Sequence, residues 1–233
     1  MNHEWWKKPL RVIQTNLQVM DTPKMEPEKI AAEMVDLGAN VLVVNVGGIY
    51  AWYPTEVPFH TVNPCLPESF DLLQELIASC HRRNIRLVAR YDFSKASDSV
   101  YQRKPQWFSR NPDGTPQVIG AMRPGQWDLL YSTCINSGYR NAEVAEKVLR
   151  ESLSRYEIDG VFFNAPHPTD CHCSHCKEKY RVLYGEELPD LQRDWRKEWK
   201  SRCLYDNITR LRQAVQETRS DVPVILYYSI ASD

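Results

Sequence analysis

Asp159–Tyr180 reads DGVFFNAPHPTDCHCSHCKEKY. It opens on a continuous apolar run and closes on a helical pattern. Three cysteines and three histidines fall within the ten residues between them. A strand without polar alternation is one covered on both faces, as in a parallel sheet with helices packed on it. The place where such a strand runs out is where an α/β fold builds its chemistry.

Four further β-rich runs share this character: Arg11–Val19 (RVIQTNLQV), Asn40–Val46 (NVLVVNV), Ile85–Phe93 (IRLVARYDF) and Val222–Ser229 (VPVILYYS). Helical patterns alternate with them at Pro27–Leu37, Ser69–Arg83, Ser137–Tyr156, Cys173–Tyr184 and Leu191–Thr218. Gly38 is placed to cap the first and Ser69 to start the second. Strand–helix alternation means parallel βαβ units. No GxGxxG turn follows the first run, which argues against a dinucleotide-binding sheet. Long polar and aromatic loops after the strands argue for a (β/α)8 barrel. Five strands cannot close one, so the expected fold is an α/β barrel of the TIM type represented by its first five or so β/α units. Residues 1–233 are then the N-terminal portion of a longer barrel domain.

The chain has 233 residues, a net charge of −1, 42% hydrophobic and 25% charged residues, which favours no nucleic-acid or anionic-membrane partner. The charged segment Asp190–Arg219 alternates acids and bases, the pattern of a solvated helix face. MNHEWWKKPLRV carries no signal-peptide core, and no run approaches a membrane span. The expected location is cytoplasmic, where seven cysteines would be free thiols or metal ligands. Any homo-oligomer would form through domains outside this chain.

Cys171, Cys173 and Cys176 form a C-x-C-x-x-C run. The first two face one ion if the chain there is extended, and the third follows on the first helical turn. Zinc takes four N or S ligands in a tetrahedron. The fourth is Cys134 or one of His167, His172 and His175; the alternative is a loop of free thiols. Cys65, Cys80 and Cys203 read as plain thiols, with Cys80 facing the core.

GGIYAWYPTEVPFHTVNPCL (Gly47–Leu66), ARYDFSKA (Ala89–Ala96), YSTCINSGYR (Tyr131–Arg140), DGVFFN with its cysteine run, and YGEELP (Tyr184–Pro189) resemble the hypothetical glycosyl hydrolases of glycoside hydrolase-like family 6. The resemblance implies a (β/α)8 barrel, a carbohydrate substrate and a longer parent protein. More distantly, the chain is similar to family 42 β-galactosidases, whose matching cysteines hold a structural zinc. That implies Cys134, Cys171, Cys173 and Cys176 as the ligand set here.

Glycoside hydrolysis needs two carboxylates, and a barrel presents them at strand C-terminal ends. The ends here offer Asn16, Asn45, Asp92, Asn164 and Tyr228, of which Asp92 alone is a carboxylate. The family 42 pattern would put a glutamate after Asn164, where Ala165 stands. Family 29 fucosidases would put an aspartate at Asn164 itself. Three explanations follow: Asp92 or Asp170 serves, the carboxylates lie beyond residue 233, or the barrel binds sugar without cleaving it. A third class, a zinc-dependent hydrolase using the cysteine and histidine cluster, would need an open metal position. The expected function is glycosidic-bond hydrolysis, with Asp92 catalytic. Asn45, Trp52, Tyr53, His60, Arg90, Asn164 and His167 are the expected sugar contacts. Each has a plain alternative: Asp92 paired with Arg90 or Lys95, Trp52 and Tyr53 packed against neighbouring loops. Asp159, at the opposite end of its strand, reads as structural.

Overall fold

Branched and aromatic runs in the sequence become central strands, and they organise the first of two compact units. The computed structural model describes residues 4–121, 129–164, 166 and 168–227. The first unit takes its described residues from Met1–Asp92, Val148–Ala165 and Ala214–Asp233, and the second from Phe93–Lys147 and Pro166–Gln213. The elements, in order, are β1 (Val12–Gln14), α1 (Pro27–Asp36), β2 (Val41–Gly48), α2 (Leu72–His81), β3 (Arg86–Asp92), β4 (Lys95–Ser97) and α3 (Asp98–Arg103). They continue with β5 (Val118–Ala121), β6 (Leu129–Ser132), α4 (Ala145–Arg155), β7 (Gly160–Asn164), α5 (Ser174–Tyr184), α6 (Trp199–Thr218) and β8 (Val224–Tyr227).

In the first unit the sheet order is β1-β2-β3-β7-β8 and every pairing is parallel. This is the five-stranded half of a (β/α)8 barrel. Side chains alternate between the two faces of each strand. On one face Val41, Val43, Val88 and Phe162 enclose Trp5, with Ile225 partly buried against them. Continuing along the same alternation, that face carries Asn45 on β2, Arg90 and Asp92 on β3, and Asn164 on β7. The apolar layer thus lies under the N-terminal half of the strands, and the polar residues follow towards their C-terminal ends.

Local chemistry explains where the helices stop and start. Pro27 opens α1, and Gly38 follows its end at φ 68°, the left-handed conformation that a glycine adopts at no cost. The expected start of α2 at Ser69 is corrected: Asp71 is the cap, its carboxylate accepting from Gln74 N–H at 3.1 Å. At the N-terminal end of β7, Asp159 accepts from Leu87 N–H at 2.9 Å and from Arg86 at 2.8 Å, and lies 2.7 Å from His81. Burial would raise its carboxyl; those three partners outweigh burial and hold it below the usual carboxylate range. Its role is structural.

The second unit contains what the sequence pattern did not announce, an antiparallel sheet of order β4-β6-β5. Its strands have three or four residues each, too short to show a period. The stretch expected to begin a helix at Ser137 runs through turns until α4 begins at Ala145.

Gly48, at φ 112°, sets the close approach of β2 to β3: a Cβ there would overlap the Asp92 backbone. Gly48→Ala should therefore cost on the order of 2 kcal/mol or more. Gly38→Ala, where the nearest neighbour stands 3.9 Å away, should cost about 1 kcal/mol from strain alone. Denaturant midpoints of the two variants provide the comparison, and equal losses would refute the overlap.

Candidate functional site

Parallel strands deliver their C-terminal ends to one side of a sheet, and in the first unit those ends carry the polar residues. Asn45 and Arg90 are register partners across β2 and β3. Arg90 Nη1 donates to Asn45 Oδ1 at 2.6 Å, and Asn45 Nδ2 donates to the Leu17 carbonyl at 2.9 Å. Two residues further along β3, Asp92 Oδ2 accepts from Asn164 Nδ2 at 3.0 Å. The observed contacts therefore join Arg90 to Asn45 and Asp92 to Asn164. Burial pulls the Arg90 guanidinium below its usual range while the Asp92 charge opposes that fall. Tyr227, on β8, is the register partner of Asn164 and is half exposed. It is an aromatic at these strand ends that the sequence reading passed over in favour of its neighbour Tyr228. Tyr228 and His167 lie outside the described residues.

The loop after β2 is packed differently from the expectation. Tyr53 has no exposed surface, and its hydroxyl donates to Glu151 Oε2 at 2.7 Å. Trp52 is buried and lines a small apolar cavity with Leu17, Leu72, Leu73 and Leu76. Both rings are packed against neighbouring residues of the unit. A Pro-rich loop full of aromatics looks the same in sequence whether its rings turn out or in.

His60 belongs to the same buried arrangement. Gly48 N–H donates to its Nε2 at 3.2 Å, and its Nδ1 lies 3.3 Å from Thr55 Oγ1. Thr55 in turn donates to Glu151 Oε2 at 2.6 Å. An Nε2 that accepts must be unprotonated, so the proton sits on Nδ1 and faces Thr55. Burial lowers the imidazole to a pKa of about 3 from an ordinary 6.5. His60 is a neutral clasp holding the loop to the end of β2, in place of the expected sugar contact.

The second unit holds a different cluster. Cys173 caps α5 and Cys176 lies in its first turn, while Cys134 follows β6. The sulfurs of Cys134, Cys171, Cys173 and Cys176 all lie within 4.8 Å of one another, and all four residues are buried. Cys134 is 3.4 Å from Cys176 and 3.5 Å from Cys173. A tetrahedral ion with bonds of about 2.3 Å requires sulfurs about 3.8 Å apart, so the set fits one metal. Hydrogen bonds from Cys171, Cys173 and Cys176 push the Cys134 thiol up, and those from Cys134, Cys173 and Cys176 hold Cys171 down. His172 is buried against Trp195, and His175 is partly buried on α5; neither belongs to the four. Asp170 is in ion-pair contact with Lys200 at 2.5 Å. Of the remaining thiols, Cys80 is fully buried as expected, and Cys203 packs against the four-cysteine cluster.

The His60 clasp gives stability a pH dependence. An unfolded chain binds the imidazole proton below about pH 6.5 and the folded chain does not until about pH 3. The stabilisation is full above 6.5 and falls as pH drops towards 3, by about 1.4 kcal/mol per pH unit. Denaturant midpoints of wild type and His60→Gln at pH 7, 6, 5 and 4 should converge as pH falls. Parallel curves would contradict a buried neutral imidazole.

Among the described residues no helix is long and apolar enough to cross a membrane. A search of curated proteins finds no match. Solved structures with the same fold include α-L-fucosidase isoenzyme 2 from Paenibacillus thiaminolyticus, at 21% identity and a TM-score of 0.71, covering 94% of this chain and 32% of that one. The β-galactosidase from Bacillus circulans sp. alkalophilus aligns at 16% identity and a TM-score of 0.65, covering 93% and 36%. The β-galactosidase from the psychrophilic Marinomonas ef1 aligns at 13% and 0.60, covering 92% and 36%. The chain thus spans about a third of the length of the glycosidases whose fold it shares. The family described as hypothetical glycosyl hydrolase 6 matches residues 26–165, more than half of the sequence, and the chain belongs to that family.

Proposed function

We propose that residues 1–233 are the N-terminal part of a (β/α)8 barrel that hydrolyses a glycosidic bond, with Asp92 as one of its working carboxylates. The observation that carries this reading is the Asn164 amide donating to Asp92 at the C-terminal ends of adjacent parallel strands. A carboxylate placed there can act as a nucleophile or stabilise an oxocarbenium-like transition state. Hydrolysis uses a second carboxylate as general acid, and the described strand ends offer Asp92 alone, so that acid is expected elsewhere in the parent protein. Arg90 and Asn45 lie one layer deeper and would orient Asp92 and a sugar hydroxyl. The substrate is a carbohydrate. The second reading is a barrel that binds sugar without cleaving it, favoured by Asn164 and Ala165 standing where related patterns carry acids.

The four cysteines are assigned to one structural zinc. Four thiolates complete the tetrahedron and leave no position for a reactive water, so the ion would tie the loop after β6 to the start of α5 and perform no chemistry. That also removes the open coordination a zinc-dependent hydrolase would require. A cytoplasmic location accords with seven cysteines that are all free of disulfides.

In the full-length protein, Asp92→Asn should lower turnover of a cleavable glycoside by about 100-fold or more, with an unchanged thermal midpoint. Turnover within a few-fold of wild type would reduce Asp92 to a structural residue. Elemental analysis of the purified chain should find about one zinc per molecule, and Cys134→Ser should lose it. A metal-free wild type purified without chelator would sink the zinc assignment.

A further inference from the structure

Around the four sulfurs the second unit places Asn136, which reaches more than one of them. Asn136 N–H donates to Cys134 Sγ at 3.3 Å, and its Nδ2 donates to Cys176 Sγ at 3.3 Å. The same Nδ2 lies 3.3 Å from the sulfur of Cys203, a fifth buried thiol outside the four. On the amide's other side, Lys179 Nζ donates to Asn136 Oδ1 at 2.9 Å. Lys179 is paired with Asp206 at 2.9 Å, and Asp206 with Arg202 at 3.2 Å. Asn136, Lys179 and Asp206 also line a groove of about 880 Å³ in this unit, so the outer end of the network meets solvent.

The electrostatics give this arrangement a purpose. Four thiolates around a divalent cation carry a net charge of −2 in a buried site. Such charge is tolerated where N–H donors spread it over the surrounding protein. Asn136 supplies two of those donors, one to each of two ligands. The Lys179 ammonium on its carbonyl polarises the amide and strengthens the Nδ2 donor. Cys203 shares that donor without entering the tetrahedron.

We propose that Asn136 is the positioning residue of the metal site, its backbone N–H holding the sulfur of Cys134 and its side-chain amide transmitting the Lys179 charge to the sulfur of Cys176, and that Cys203 is an accessory thiol and not a ligand. This rests on the assignment of a metal to the four cysteines. Asn136 holds no metal itself. It sets the orientation and donor strength of two thiolates and thereby how firmly the ion is retained.

The test uses the purified chain loaded with zinc, and separately with cobalt(II) as a spectroscopic probe. Asn136→Ala should keep one metal per chain but release zinc to a chelator about tenfold faster or more. The alanine keeps the backbone N–H to Cys134 and removes the Nδ2 donor to Cys176; that loss raises the energy of the Cys176 lone pairs, so the sulfur-to-cobalt charge-transfer band should move to longer wavelength. Lys179→Met changes a partly exposed side chain and leaves the amide in place. It should move the band in the same direction by a smaller amount, which a purely structural role for Asn136 would not produce. Cys203→Ser should keep one metal per chain. An unchanged band in both Asn136→Ala and Lys179→Met would overturn the proposal, as would loss of the metal in Cys203→Ser. Absence of metal from the wild type would fail the underlying assignment as well, whereas metal-loaded variants with wild-type bands would fail this inference alone.

Discussion

The backbone of β2 comes so close to that of β3 at Gly48 and Asp92 that only a hydrogen fits where a Cβ would stand. Much of the first unit depends on that approach. It brings the Gly48 N–H to His60, which anchors the loop carrying Trp52 and Tyr53. It sets Asp92 at the level where Asn164 reaches it from β7. The backbone conformation required, φ 112°, is one that residues with side chains rarely adopt. A single glycine therefore couples the packing of a loop to the placement of the Asp92 carboxylate.

The sheet divides its labour along the strand axis. Towards the N-terminal ends, Trp5 and its apolar neighbours fill one face, and Asp159 ties β7 to Arg86, Leu87 and His81. Towards the C-terminal ends the same face turns polar at Asn45, Arg90, Asp92 and Asn164. Stabilising contacts and the polar residues proposed to meet a sugar occupy opposite ends of the same five strands. The buried clasp of His60, Thr55 and Glu151 lies between these roles. It fixes the loop bordering the strand ends, with each proton donated in one consistent direction.

The second unit rests on sulfur. Among the described residues a core cluster of ten buried side chains consists of five cysteines together with Trp195, Trp199, Tyr180, Leu188 and Ile135. Apolar burial of that size does not by itself explain four sulfurs converging within 4.8 Å, since thiols gain little from one another. A shared cation would account for it, and the hydrogen bonds from Asn136 would make the resulting charge tolerable.

The order and parallel pairing of the five strands were legible in the sequence, because a run such as VLVVNV has nowhere to go but between two covered faces. The C-x-C-x-x-C spacing likewise announced three sulfurs on one side of a helix start, since an extended pair followed by a helical turn converges geometrically. The sharing of one face by Arg90 and Asp92 follows from alternation alone. Other features had no local signature. Strands of three and four residues carry no period, so the antiparallel sheet of the second unit emerges only when β4 and β5 meet β6. Asn136 is one polar residue among many until Cys176, Cys203 and Lys179 surround it. Tyr53 and His60 read as accessible because they sit in a polar, Pro-rich loop; Glu151, 98 residues beyond Tyr53, holds the first directly and the second through Thr55. Periodicity and spacing record what a residue does with its near neighbours in the chain, whereas burial and partner choice are set by residues far away in sequence, and those the tertiary structure decided.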